Sequence, residues 1–458
     1  MPGIFQSLDI ARRAIWASRT GMDVTSHNIA NVNTPGFSRQ RVDQRAARPL
    51  NLPQGQLGLG VTADTVIRIR SGLLDQQFRQ NAFSLGGAEV NENLFGQIEA
   101  ILQEPSENAI GSLMTDFFSE FSSLAAEPEN TALRTTLREK AVALSDAFHN
   151  AHGQLQDLRN SISGEAKSMI NEINSLTGEL AKLNNQITGY EAGGGQANDL
   201  RDQRDLVLDK LSGYLKINYS EDNNGSVTVS SESMTLVSGV RSNPLSLDTS
   251  KENDVLQIRL EGNGDILRQP AYGKLGALMS SYNSSIPKIQ QRLDDLAGRL
   301  SGEVNRLHRR GQGLNGAGTG FDFFTGNSAA TLRVSDDIME DLSRIAVSSD
   351  GSAGNGEVAS AIANLRDAKL LDNGTATFNS FYNGVVNQLS LDIQQASTTR
   401  NNQQLLQQQI SNQRTSASGV SLDEEMTNMI KYQRAFEAAS KVVKVVDDML
   451  QTLINMAG

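Results

Sequence analysis

The chain has 458 residues, a formal net charge of −11, 20% charged and 5% aromatic residues, and no cysteine. That length calls for about two to four domains, and the acidic balance excludes a general nucleic-acid binder, which needs a basic surface to neutralise phosphates. The missing cysteine excludes disulfides, thiolate metal sites and cysteine nucleophiles, and the few aromatics predict no large aromatic-rich core or ligand cage.

Nine prolines, at 2, 35, 49, 53, 105, 128, 244, 270 and 287, leave gaps in which long helices can run. The first predicted helix spans Ile4–Ile29. Ile4, Leu8, Ala11, Ile15, Ser18, Met22, Thr25 and Ile29 recur at steps of four and three, a narrow heptad seam suited to close helix contact. Asn28, Asn31 and Asn33 favour termination; Pro35 biases Thr34 out of the α region and Gly36 permits a turn. Phe37 to Arg70 is extended and turn-rich, with strand-like alternation from Val61 to Ile69. Helical periodicity resumes at Gly72 and runs to Gln103, and a shorter helix covers Ala109–Ala126.

Pro128 and Asn130 signal a long helix from Thr131. Leu155, Leu158, Ile162, Ala166, Met169, Ile173, Leu176, Leu180, Leu183 and Ile187 follow steps of three and four, with one stutter between Leu158 and Met169. Gly189 and Gly193–Gly195 end it, while Gly153, Gly164 and Gly178 leave its continuity open. Strands are expected at Leu215–Tyr219, Ser226–Ser230, Met234–Val237 and Val255–Leu260, with hairpin signals at Asn224–Gly225 and Asn263–Gly264. Helix returns at Leu275, striped by Ile289, Leu293, Leu296, Leu300, Val304 and Leu307. Glycine-rich Gly311 to Gly320 breaks it, followed by apolar Phe321, Phe323 and Phe324. A mixed stretch, 332–375, leads into a polar helix over Thr377–Asn412.

The C-terminal helix has the clearest pattern. Met429, Tyr432, Phe436, Ala439, Val443, Val446, Leu450 and Leu453 fill every a and d position of an uninterrupted heptad register, and charged residues lie between them. Ser421 before Leu422, with Glu424 three residues on, reads as a capping box. Any such stripe can also belong to a helix packed on its own core; two terminal seams around folded material instead predict ends that pair and self-associate. The expected fold is mainly α with a smaller β-rich module. Residues 1–36 plus 420–458 form a terminal coiled-coil domain, 37–213 plus 271–419 a long-helix domain with extended segments, and 214–270 a small β-rich outer module.

No catalytic, cofactor or metal site stands out. His149 and His152 share a helix face, but no HExxH, cysteine or completing carboxylate accompanies them, so surface histidines are the expected reading. The run Gly311 to Gly320 lacks the Lys–Ser/Thr of a phosphate loop and follows a helix. Asp222 to Gly225 opens like a calcium loop without a glutamate at the twelfth position, and a hairpin turn explains it. The cluster Arg39, Arg41, Arg45 and Arg48 suits an exposed loop making ion pairs, with partners available on other copies of the chain.

The run Asn28-Ile29-Ala30-Asn31-Val32-Asn33-Thr34-Pro35-Gly36-Phe37 resembles the signature shared by flagellar rod, hook and hook-associated proteins. Its continuation through Ser38-Arg39-Gln40, the blocks Ser418 to Met426 and Lys431 to Ser440, and central segments at 303–311, 314–316 and 321–325 are similar to the FlgK family of hook-associated proteins. The resemblance implies a non-enzymatic extracellular adaptor at the hook–filament junction, assembled as a ring through its terminal helices. It implies a hook subunit on one side and a second junction protein or filament on the other. Export would run through the flagellar type III apparatus without a cleaved signal, in keeping with a start (Met1 to Ser18) that lacks a signal's apolar stretch. A cytoplasmic chaperone would first mask the C-terminal helix at Met429, Tyr432, Phe436, Val443, Val446, Leu450 and Leu453. The matching N-terminal surface is Ile4, Leu8, Ala11, Ile15, Met22 and Ile29, and no membrane or nucleic-acid partner is implied. Competing readings are a hook or rod subunit, an enzyme with its site within 215–375, and a cytoplasmic coiled-coil scaffold.

Overall fold

Long proline-free stretches become long helices in the computed structural model, which describes residues 2–52, 55–102, 106–232, 234–250, 254–261, 266–267 and 273–457. The predicted turn at Asn263–Gly264 and the side chain of Ile4 lie outside the described residues. Helix α1 (Pro2–Ala30) leads to β1 (Gln40–Ala46), β2 (Leu50–Leu52), β3 (Gly55–Leu57) and β4 (Val61–Arg68). Strand β1 pairs antiparallel with β4, and β2 with β3. Helices α2 (Gly72–Leu102), α3 (Ile110–Ala126), α4 (Thr131–Glu191) and α5 (Asn198–Tyr214) follow.

Helix α4 is unbroken over 61 residues, roughly 90 Å at 1.5 Å per residue. Asn130 caps it, accepting the N–H groups of Ala132 and Leu133 at 3.0 and 3.3 Å. All ten rod positions named from periodicity are buried. Nothing in the structure lies within 4 Å of where a Cβ at Gly153, Gly164 or Gly178 would sit, so packing does not account for these glycines.

Against the second half of α4 lie two small sheets. One has the order β5 (Asn218–Glu221), β6 (Val227–Ser231), β7 (Met234–Ser238), β8 (Arg241–Ser242); the other runs β11 (Ile266–Leu267), β10 (Val255–Leu260), β9 (Leu245–Ser250). Their inward residues, among them Val229, Leu236, Leu256 and Ile258, join Leu155 to Leu183 of α4 in one continuous apolar core. The predicted Asn224–Gly225 turn joins β5 to β6, with Gly225 at φ +82°.

A recurrent device fastens helix to strand. A carboxamide offers one donor and one acceptor at nearly the spacing of a peptide group, so it can satisfy a strand edge as a neighbouring strand would. Asn174 accepts from the Leu245 N–H (2.7 Å) and donates to its C=O (2.8 Å). Asn184 does the same with Val227 (3.1 and 2.7 Å) and also donates to Gly239. Asn283 pairs with Leu256 in this way (2.9 and 3.0 Å). It sits in a widened π turn, Ser281–Ser285, between α6 (Gly273–Ser280) and α7 (Ile286–His308).

Beyond α7 come β12 (Phe324–Thr325), β13 (Arg333–Val334), α8 (Asp336–Glu340) and α9 (Glu357–Ala363), then α10 (Phe378–Ser418) and α11 (Leu422–Ala457). Thr377 and Ser380 form the capping box that starts α10. The expectation of no large aromatic core fails here. Phe117, Phe118, Phe121, Phe323, Phe324 and Phe378 stack with ring centroids 4.9–5.8 Å apart. Composition averages over the chain, whereas tertiary folding concentrates a scarce residue type at one end of the rod.

Beside that cluster His308 is buried. Its Nε2 accepts the Ala346 N–H at 2.9 Å, which leaves Nδ1–H to donate to the Phe321 carbonyl at 2.8 Å. Burial, against the partial support of that carbonyl and of Asp322, pushes its pKa down to about 4. The folded chain thus holds a neutral imidazole where the unfolded chain takes up a proton. Its contribution is complete above pH ~6.5 and is lost as pH falls toward 4, roughly 3 kcal/mol in all. Melting temperature measured against pH should therefore decline across that window, and His308→Gln should flatten the decline; an unchanged pH slope in the variant would refute the assignment.

Candidate assembly interface

The two terminal helices pair. Asn28, near the end of α1, meets Glu425 in the first turn of α11, and Gly21 meets Tyr432, so the helices run antiparallel. The side chains of α1 buried in this region are small or polar: Ala11, Ala17, Ser18, Thr25 and Asn28. Such a stripe lets backbones approach closely, and Tyr432 uses the space. A Cβ on Gly21 would lie 2.6 Å from its ring. That contact explains a glycine inside a helix, where it costs about 1 kcal/mol against alanine.

Of the predicted N-terminal surface, Ala11 is buried and Leu8, Ile15, Met22 and Ile29 are half-buried. In the C-terminal seam Ala439 and Val446 are buried, Met429, Tyr432, Phe436, Val443 and Leu450 half-buried, and Leu453 exposed at the edge. Periodicity marked the large residues of α1, but Ala17, Gly21 and Asn28 sit deeper. The signal that could have found them was the small-residue stripe at the same spacing.

A second apolar stripe of α11 is left outside the pair. Val442, Val445, Met449 and Met456 follow steps of three, four and seven and are all exposed, with Met426, Ile430 and Ile454 nearby in the helix. On α1 the sole tryptophan, Trp16, is 64% exposed and Phe5 63%. Large apolar side chains aligned on a solvent face are the ordinary mark of a protein contact.

The signature segment forms the joint between this pair and the rod. Asn28 is buried and repeats the amide device, accepting from the Gln40 N–H (2.9 Å) and donating to its C=O (2.8 Å). Its Nδ2 also donates to Glu425 at 3.0 Å. Asn31 caps the end of α1 by donating to the His27 carbonyl (3.0 Å) and accepting from Thr34 (3.0 Å). Gly36 takes φ +80°, and a Cβ there would press on Leu206 at 3.2 Å. Phe37 meets the His27 ring edge-on, while Asn33 and Pro35 are exposed.

Arg39 pairs with Glu424 (2.5 Å) and Glu425 (2.7 Å), so the cluster predicted as an exposed loop has one member facing α11 of its own chain. Glu424 is thereby drawn to Arg39 instead of closing the predicted capping box with Ser421, although the helix does start at Leu422. Arg45 pairs with Asp43, and Arg41 and Arg48 are exposed.

Below the joint lies a largely buried ionic lattice built on α5, a helix that periodicity did not mark. Arg68 contacts Asp202 (2.7 Å) and Asp205 (2.9 Å), Arg70 contacts Asp75 (2.6 Å), and Arg79 contacts Asp209 (2.7 Å) and Asp205 (3.1 Å). Arg414 closes it from α10 onto Asp209 (2.8 Å) and Asp75 (2.9 Å). Asp202 also accepts the backbone N–H and the hydroxyl of Ser38, tying the signature to the lattice. His149 and His152 are half-buried on the crowded first half of α4. Among the described residues no group of three His, Cys, Asp or Glu could hold a metal, and no helix is long and apolar enough to cross a membrane.

Comparison with known proteins agrees with this geometry. The family model described as flagellar hook-associated protein FlgK helical domain matches residues 95–324, half of the chain. Models of the flagella basal body rod protein and of the flagellar basal body rod FlgEFG protein C-terminal match 8–37 and 411–456. The flagellar hook-associated protein 1 of Bacillus subtilis is 28% identical over 504 residues, covering 100% of this chain and 99% of that protein. Its counterpart in Escherichia coli is 23% identical over 536 residues, covering 96% and 97%. The flagellar hook junction protein FlgK from Burkholderia pseudomallei aligns at a TM-score of 0.67 and 16% identity, over 76% of this chain and 100% of that one, a likeness of fold.

Proposed function

Because the chain belongs to the FlgK family of flagellar hook-associated proteins, we propose that it is the structural adaptor of the hook–filament junction, assembling as a ring through its paired terminal helices. The observation that carries this reading is the aligned, exposed stripe of α11, together with the exposed Trp16 and Phe5 of α1, on a pair whose own seam is already occupied. Copies of the chain would bury that stripe against one another. The seam residues then hold the pair together, and the outward residues hold the assembly together.

The rest of the reading follows from the same surface. An apolar stripe exposed before assembly invites premature association, which supports capture of the C-terminal helix by a cytoplasmic chaperone before export through the flagellar type III apparatus. The working location is then extracellular, between the hook subunit and a second junction protein or the filament. The role is non-enzymatic: the joint's acid and base groups satisfy one another in structural pairs. The assembling unit is then 1–36 plus 420–458, carried by the long-helix domain (37–213 plus 271–419) with its small β-rich outer module (214–270).

Immunogold labelling of purified hook–filament complexes tests the placement. Gold confined to the junction is expected, together with hooks that lack filaments when the gene is deleted. Label distributed along the hook would instead favour the hook-subunit reading.

A further inference from the structure

We infer that two contacts, Asn28 with Glu425 and Gly21 with Tyr432, fix the register of the terminal helix pair. They lie one heptad apart on both helices, so the same offset satisfies both at once. Along the seam itself the side chains do little to distinguish one alignment from the next, although Arg39 at the joint adds a further native contact through Glu424 and Glu425. The α1 side presents Ala11, Ala14, Ala17 and Ser18, and the α11 side Phe436, Ala439, Val443, Val446 and Leu450, which a seven-residue slip would exchange for one another at small cost. Antiparallel helices with a uniform seam are prone to this ambiguity, and a single buried polar pair is a known way to remove it.

Glu425 is only 2% exposed and is the one buried charged side chain of α11 among the described residues. Its Oε2 accepts from Asn28 (3.0 Å) and its Oε1 from Arg39 (2.7 Å). A slip in one direction places Glu425 opposite Gly21, with no amide to meet it, and moves Tyr432 onto Ala14, which has no notch for the ring. The opposite slip carries Glu425 past the end of α1 and drives Tyr432 against Asn28. Each alternative strands a buried carboxylate or a ring, so the native offset is selected by what its competitors lose. The offset also decides where along α1 the exposed stripe of α11 stands, a consequence that bears on the proposed assembly role; the register itself does not rest on it.

The chain has no cysteine, so introduced pairs report cleanly. By the offset that joins 21 to 432 and 28 to 425, Ala14→Cys with Ala439→Cys reports the native register. Ala14→Cys with Val446→Cys and Ser7→Cys with Ala439→Cys report the two slips. In dilute full-length chain a short thiol crosslinker should link only the native pair. Adding Asn28→Leu and Glu425→Leu should raise the slipped links from background to yields comparable with the native one, with a lower melting temperature because Gln40 loses the amide that satisfies its N–H and C=O. Native links alone in that variant overturn the proposal. Loss of every link overturns it as well, because Asn28 and Glu425 would then serve the stability of the pair and not its register. Neither outcome depends on whether the chain sits at the junction.

Discussion

The double substitution Val445→Asp and Met449→Asp is expected to abolish incorporation into the flagellum, and motility with it, while the free chain melts normally. Both side chains are about half exposed and lie outside the α1–α11 seam, so charges there cost the monomer within ~0.5 kcal/mol. In an assembled interface the same carboxylates would be stripped of water without partners, at several kcal/mol each. Val443→Asp and Leu450→Asp make the instructive contrast. These positions are half-buried in the seam against α1, so charge there should lower the stability of the terminal pair as well as block assembly. A motility plate assay with thermal melts of the purified variants separates the two classes. Full motility of the Val445/Met449 variant would reduce the stripe to ordinary exposed surface.

Asp205→Asn is expected to destabilise the folded chain by roughly 3 kcal/mol, because it removes the carboxylate shared by Arg68 and Arg79 and leaves buried guanidinium charge uncompensated. Burial alone would raise the Asp205 pKa; the neighbouring Arg70, Arg68 and Arg79 outweigh it and hold the group at about 2. A folded pKa below the ordinary 3.8 means that the unfolded chain binds the proton more readily. The stabilisation is therefore complete above about pH 3.8 and is lost as pH falls toward 2, a span worth about 2 kcal/mol. Acid denaturation should accordingly show two stages, one from His308 between pH 6.5 and 4 and a later one from Asp205. The Asp205→Asn variant should keep the first and lose the second. A variant within 1 kcal/mol of the parent, with both stages intact, would show the lattice to be dispensable.

Much of the fold was legible where a local pattern sufficed. Proline gaps delimited α2 and α4 almost to the residue, the strand block was marked by β-branched runs and the Asn224–Gly225 turn, and the terminal helices followed from their heptads. What escaped was long-range. Helix α5 has a short apolar stripe diluted by charge, and Asp202, Asp205 and Asp209 make sense only beside arginines 120 or more residues away. The deepest contacts of the terminal pair were hidden for a related reason. Periodicity ranks residues by apolar bulk, whereas close helix approach depends on what is missing, as at Gly21 under the Tyr432 ring. The signature at Asn28 to Phe37 was recognisable as a string, but the work of Asn28, at once a strand partner for Gln40 and a donor to α11, needed coordinates.

The amide fastenings along α4 also have a mechanical meaning. A two-point hydrogen-bonded clamp resists shear as well as separation, since sliding the strand by one peptide breaks both bonds. With Asn174 and Asn184 clamping separate sheets to one 61-residue strut, the rod and its β segment form a stiff lever. At the joint only Asn28 makes such a clamp; Ser38 and Arg39 are held by carboxylates, on which a small rotation trades one oxygen for another. Stiffness is thus concentrated in the lever, and what compliance the joint has lies in its carboxylate contacts.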